Sequence, residues 1–268
     1  MAWWGKLVGS AFGLLVAGPL GALLGAALGH RFDKGLAHLG QEPELLEGDK
    51  ERVQMAFFTA TFSVMGAVAK SDGHVTREEI ALAESVIRDM ELNPSQREIA
   101  IRLFNEGKSA DFPLDEVIEQ LRRECRRRKN LLRMFIEIQL QGAYADGALH
   151  PAEEALLLRL CRQLGLSELS FRLLRQRMEA ERRFSGSTGR GQRARSGPRL
   201  EAAYQLLGLT RQASEAEIKR AYRRLMSQHH PDKLVSKGLP EEMIKVAEQK
   251  TIEIKQAYEQ IKAARGLG

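Results

Sequence analysis

Two hydrophobic patterns divide the chain. No charged residue occurs from Leu7 to Gly29, a run of 23 positions. A helix needs roughly 20 apolar residues to cross the bilayer core. Trp3 and Trp4 stand at the outer end of the run, where amphipathic rings settle at the headgroup level. The pattern predicts one transmembrane helix over 7–29, preceded by a short tail, 1–6. A cleaved secretory signal is the competing reading, with Lys6 as its basic region and Ala27–Gly29 as its cleavage site. The uncharged run is longer than an ordinary signal core, which favours a retained anchor. Gly18, Gly21, Gly25 and Gly29 fall within about 80° of each other on such a helix. Close backbone approach over small residues is what pairs helices in lipid, so the anchor is expected to form a homodimer through this face.

From residue 50 onward the apolar positions recur at helical spacing. Phe57/Phe58, Thr61/Phe62, Met65 and Val68/Ala69 keep a 3.6-residue rhythm. Further helices are predicted at about 77–91, 94–106, 114–128, 130–144, 151–164 and 167–180. Asn93-Pro94 and Ser167 supply start signals. No stretch alternates as a strand does. Residues 181–199 mix Arg, Gly and Ser without apolar periodicity and are expected to be a flexible linker. Beyond it, Tyr204, Leu207 and Leu209 mark a short helix broken at Gly208. Ser214 and Glu217 form a capping box that opens the next helix. Ile218, Tyr222, Leu225 and His229 give it one apolar face, and Lys219, Arg220, Arg223 and Arg224 point away from that face. Pro231 stops it. A long helix from near Glu241 repeats Ile244, Ala247, Thr251, Ile254, Tyr258 and Ile261, the seam of an antiparallel partner. The expected fold is all-α: a single N-terminal transmembrane helix, a seven-helix domain over 50–180, and a C-terminal helical hairpin over 200–268 with His230-Pro231-Asp232 at its tip.

Composition narrows the function classes. Apolar residues at 43% and charged residues at 28% exclude wholesale disorder and a polytopic membrane protein. Cys125 and Cys161 are too few for a disulfide framework. The net charge of +6 is concentrated in residues 180–199, where six Arg face one Glu. A nucleic-acid binder spreads its basic charge over a folded face, so no nucleic-acid partner is expected. Arg122, Arg123, Arg126, Arg127, Arg128 and Lys129 form a second basic cluster. It reads as a solvated surface, with anionic lipid as the alternative partner.

The seven-helix region contains a weak repeat. Asp72-Gly73 precedes Glu79 as Asp146-Gly147 precedes Glu153. Carboxylate oxygens beside a glycine turn suit a hard cation. The same residues also suit helix entry, since Thr76 and Glu79 form a capping box and acids favour the first helical turn. Capping is the expected role of Asp72, Glu79, Asp146 and Glu153, with metal binding as the alternative. The arrangement resembles the tellurite-resistance (TerB-like) helical domain, which pairs two such elements in a seven-helix unit.

The C-terminal hairpin strongly resembles a J domain, the module of DnaJ-type co-chaperones. The match runs through Tyr204–Leu209, Glu217–Leu225, His230-Pro231-Asp232-Lys233 and Lys255–Tyr258. Two positions depart from the usual pattern: His229 stands where Tyr is usual, and Gln228 where Lys is usual. The resemblance implies a partner, the ATPase chaperone DnaK. Lys219, Arg220, Arg223 and Arg224 would dock its acidic surface. His230, Pro231 and Asp232 would then bias it toward ATP hydrolysis, with Asp232 pairing a DnaK arginine. Catalysis by this chain is not expected, because His230 lacks a neighbouring nucleophile, an orienting group or a phosphate loop; no cofactor is expected either. The zinc-binding cysteine repeats of some DnaJ proteins are absent.

Taken together, anchor, TerB-like centre, linker and terminal J domain resemble the membrane-anchored J-domain co-chaperones of Gram-negative bacteria. Flanking charges leave the orientation of the anchor near a tie. A partner that hydrolyses ATP is cytoplasmic, so the implied location is the inner membrane, with the N-terminus periplasmic and the C-terminus cytoplasmic. The alternative is a membrane-tethered scaffold whose TerB-like domain binds a ligand or metal, with the J domain as an accessory.

Overall fold

The computed structural model describes residues 19–23, 49–71, 92–144, 147–186 and 196–266. Among them every regular element is helical. The first unit contains α1 (Asp49–Ala69), α2 (Pro94–Gly107), α3 (Leu114–Glu124), α4 (Lys129–Ala143), α5 (Pro151–Gln163) and α6 (Glu168–Gly186). The helix expected at 77–91 lies outside the described residues. Capping sets the boundaries of α2: Asn93 Oδ1 accepts the Gln96 amide at 2.9 Å, and Gln96 Oε1 accepts the Asn93 amide at 3.0 Å. The start signal read from Asn93-Pro94 is thus a complete capping box.

Helix α1 is the hub of this unit. Val53, Phe57, Ala60, Val64 and Met65 are buried on it, and so are Thr59, Thr61 and Ser63. Thr59 Oγ1 has no partner among the described residues, whereas the other two hydroxyls bond the helix itself. Thr61 Oγ1 donates to the Phe57 carbonyl at 2.7 Å, and Ser63 Oγ to the Thr59 carbonyl at 2.8 Å. Two glycines let α1 and α2 touch backbone to backbone. A Cβ at Gly66 would stand 2.0 Å from the Phe104 carbonyl oxygen, and one at Gly107 1.7 Å from that of Ser63. Alanine at either site would force the helices apart. Cys125 and Cys161 are buried thiols, each pushed up to about 12 by burial. They are inert by that criterion.

The second unit contains α7 (Ser196–Leu206), α8 (Glu215–His229), a short α9 (Pro231–Val235), one 3₁₀ turn (Glu241–Met243) and α10 (Ile244–Arg265). Ile218, Ala221 and Leu225 of α8 pack on Ile254, Ala257 and Ile261 of α10 and on Tyr204 and Leu207. Arg265 closes the hairpin from its far end, donating to Tyr204 Oη at 2.6 Å and to the Ala213 carbonyl at 2.6 Å.

Part of the stretch expected to be a linker is helical. Residues 181–186 prolong α6, and 196–199 begin α7. The physical reason is packing: Ala180 and Phe184 are buried in the core of the second unit, so α6 gains apolar burial by continuing. Residues 187–195, between the two helices, lie outside the described residues.

The two units are in contact along a broad seam. Leu234, Leu239, Met243 and Ala247 join the core of the first unit. Gly238, at φ +97°, lets the chain pass so near Val53 that a Cβ there would meet Val53 Cγ1 at 2.6 Å. One turn at residues 19–23 also lies on the first unit, with the Leu20 amide donating to Gln120 Oε1 at 2.8 Å. Among the described residues no helix is long and apolar enough to cross a membrane. Most of 7–29 lies outside them.

Candidate functional site

Helix α8 builds one side of the candidate site. Ser214 caps it, and Glu217 Oε2 accepts the Ser214 amide at 2.7 Å. That hydrogen bond holds the Glu217 carboxyl below its ordinary value. Of the predicted apolar face, Ile218, Leu225 and His229 are buried. Tyr222 is half-buried and stacks on Tyr258, with ring centroids 4.2 Å apart. The opposite face carries the basic residues. Lys219 pairs with Glu215 one turn earlier, which raises the lysine and lowers the glutamate. Arg220 and Arg223 are exposed, and neither has a carboxylate within salt-bridge distance among the described residues. Arg224 turns toward the seam, where it lines a cleft with residues of the first unit.

The chain breaks direction at His230, whose φ of −59° and ψ of 122° are not helical. Pro231 then occupies the first position of α9, where its missing N–H costs nothing. The break is therefore a helix-to-helix corner rather than an open loop. Asp232 projects from that corner with its side chain 89% exposed, 3.9 Å from His230 Nδ1. Behind it Lys233 Nζ donates to Ser227 Oγ at 2.8 Å, tying the corner back to α8. Leu234 is buried and accepts the Leu239 amide at 2.9 Å. A buried anchor thus holds an exposed tip.

Of the repeat carboxylates, Asp72, Glu79 and Asp146 lie outside the described residues. Glu153 is third in α5, and its Oε2 accepts the His150 amide at 3.0 Å. In return His150 Nδ1 accepts the Ala152 amide. Glu153 is engaged as a cap. Of the four anchor glycines, Gly18, Gly25 and Gly29 lie outside the described residues, and Gly21 is within the turn at 19–23. The cluster Arg122–Lys129 runs from the last turn of α3 across the connection to the start of α4, mostly exposed, with Arg122 donating twice to Glu119 at 2.9 Å.

Sequence reasoning missed the seam. His229 Nδ1 lies 3.6 Å from Glu137 Oε2 on α4, both side chains under 10% exposed. Burial pushes the His229 imidazole below its ordinary value, and the nearby Glu137 opposes this without reversing it. Glu181 of α6 pairs with Lys250 of α10, both almost dry. Burial works against the lysine's charge, but Glu181, Glu137 and Glu253 together hold it above its ordinary value. Burial raises the Glu181 carboxyl, with Lys250 opposing. One signal was available: Glu137 interrupts the apolar run of α4, LLRMFIEIQL. A lone acid in such a run calls for a buried partner.

Comparisons with known proteins fit this layout. The family model for tellurite resistance protein TerB matches residues 58–176. The DnaJ domain model matches 202–265, and that of the co-chaperone DjlA transmembrane domain matches 1–39. The chain is 45% identical to Co-chaperone protein DjlA of Coxiella burnetii over 272 residues, covering all of both chains. It is 44% identical to the Escherichia coli K12 protein of that name over 274 residues, again covering both. The Legionella pneumophila relative is 42% identical, over 98% of this chain and 96% of its own. No solved structure matches the chain.

Proposed function

The chain belongs to the DjlA family of co-chaperones, and from that premise we propose that it docks DnaK through α8 and the His230-Pro231-Asp232 corner, stimulates its ATP hydrolysis and recruits it to the inner membrane. It is a J-domain co-chaperone with a TerB domain and a transmembrane domain, a regulator rather than an enzyme. The observation that carries the finer reading is the corner itself. Asp232 is held out in water by a buried leucine two residues on, next to a helix whose Arg220 and Arg223 face solvent outside any salt bridge among the described residues. Exposed cations beside a rigid acidic tip suit a partner with an acidic surface and a buried cation, giving orientation first and a directed contact second.

The remaining elements follow from the same partner. ATP is cytoplasmic, so the C-terminus faces the cytoplasm and residues 1–6 the periplasm. Membrane lipid surrounds the anchor, and the face of Gly18, Gly21, Gly25 and Gly29 pairs two copies. The competing scaffold reading rests on the repeat carboxylates, and Glu153 is already engaged in capping.

The test is single-turnover DnaK ATP hydrolysis with the full chain in nanodiscs. Parent protein accelerates hydrolysis, whereas His230→Gln and Asp232→Asn do not, and both keep the helical circular dichroism of the parent. Side chains this exposed contribute little to stability. Undiminished stimulation by either variant would remove the corner from the mechanism.

A further inference from the structure

The cleft at the seam has an unbalanced charge. It measures about 210 Å³. Arg133 of α4 and Arg177 of α6 enter it from the first unit, and Arg224 of α8 from the second. Glu137 is its one acid, and it already lies beside His229. Three guanidinium groups thus face one carboxylate. None of the three arginines has an ion pair or hydrogen bond among the described residues. Arg177 Nε is buried without a partner, as are Glu137 Oε2 and His229 Nδ1. Orphaned buried polar atoms are rare in folded proteins, and a cluster of them points to an occupant. A desolvated guanidinium is unfavourable until it meets an anion.

The chemistry of the walls specifies the occupant. Planar guanidinium forks bind the oxygens of a phosphate group two at a time, which a spherical halide cannot match. Asn130 and Ser170 add neutral donors at the same cleft. We infer that this cleft is a phosphate site, completed only when the J unit is seated on the TerB-like unit, and that its occupant fastens the two together. Since Arg224 is one of its three cations, occupancy also withdraws that residue from the basic face of α8. The group bound is a phosphate, free in the cytoplasm or carried by an anionic lipid headgroup.

The test follows the melting of the full chain in nanodiscs. Inorganic phosphate is titrated into zwitterionic phosphatidylcholine discs at constant ionic strength, with chloride as the control. A ligand that binds only the native state raises the melting temperature, here by about 3 °C at roughly tenfold over Kd. A saturable rise with phosphate and none with chloride supports the site. A rise produced by phosphatidylglycerol discs without added phosphate assigns it to a headgroup. Arg133→Gln, a half-buried residue whose loss leaves the fold intact, reduces the response, and Arg177→Gln removes it. Absence of a saturable rise in both arms overturns the inference. So does a rise that both variants retain.

Discussion

Two charged regions of this molecule lie within a helix diameter of each other and behave as opposites. On the outer face of α8, Lys219, Arg220 and Arg223 stand in water, where an ion pair is worth little. Beneath the same helix, His229, Glu137, Glu181 and Lys250 are almost dry. There each charge depends on its neighbour, because removing one partner strands the other without solvent. The same residue chemistry thus serves encounter on one side and attachment on the other. Burial, more than identity, decides which.

The comparison can be broken most sharply at Lys250. Lys250→Met leaves Glu181 buried and unpaired, and should cost about 3–5 kcal/mol in urea unfolding. Adding Glu181→Leu should restore most of it, since an apolar pair of similar volume is nearly neutral. A single variant as stable as the parent would show that the seam is wet.

A smaller effect belongs to His229. Its folded value is depressed by burial, so its stabilising contribution is complete above the ordinary histidine value of about 6.5 and is lost as pH falls below it. Between pH 7.5 and 5.5 the parent should lose stability relative to His229→Gln, by at most about 1.4 kcal/mol per pH unit. A gap independent of pH would mean that His229 keeps its ordinary value.

The smallest expected change is at Arg223. Arg223→Ala should leave unfolding within about 0.5 kcal/mol of the parent. Binding to DnaK should weaken a few-fold at low salt and converge with the parent as salt rises, as screening removes the surface contact. Salt-independent loss would place Arg223 in a buried contact.

These contrasts also explain what the sequence could show. The capping box at Ser214 and the break at Pro231 depend on neighbours a few residues apart and are present as read. Of the seam expected from Ile244 to Ile261, only Ile254 and Ile261 are buried against the hairpin, Ala247 joining the first unit's core instead. His229 was legible as a member of the buried face, but its partner Glu137 lies on another unit, and no local period links them. The helix across 181–186 was hidden by its composition. Arg182, Arg183, Ser185 and Gly186 read as tether, and only the long-range burial of Phe184 outweighs that. Gln228 and His229, the two departures from the J-domain pattern, both line the cleft at the seam. A departure at an otherwise regular site was the nearest thing to a clue.

The burial of Phe184 also sets a schedule for synthesis. Apart from Ala180, it leaves the ribosome before the residues of the core that buries it, which run to Ile261. At about 5–20 residues per second the interval is roughly 4–15 s. During that time α6 carries a bare aromatic ring at the end of a unit whose own core also awaits Leu234, Leu239, Met243 and Ala247. The nascent chain is therefore most prone to mispairing after its first unit has emerged, and release from that state waits on the last helix.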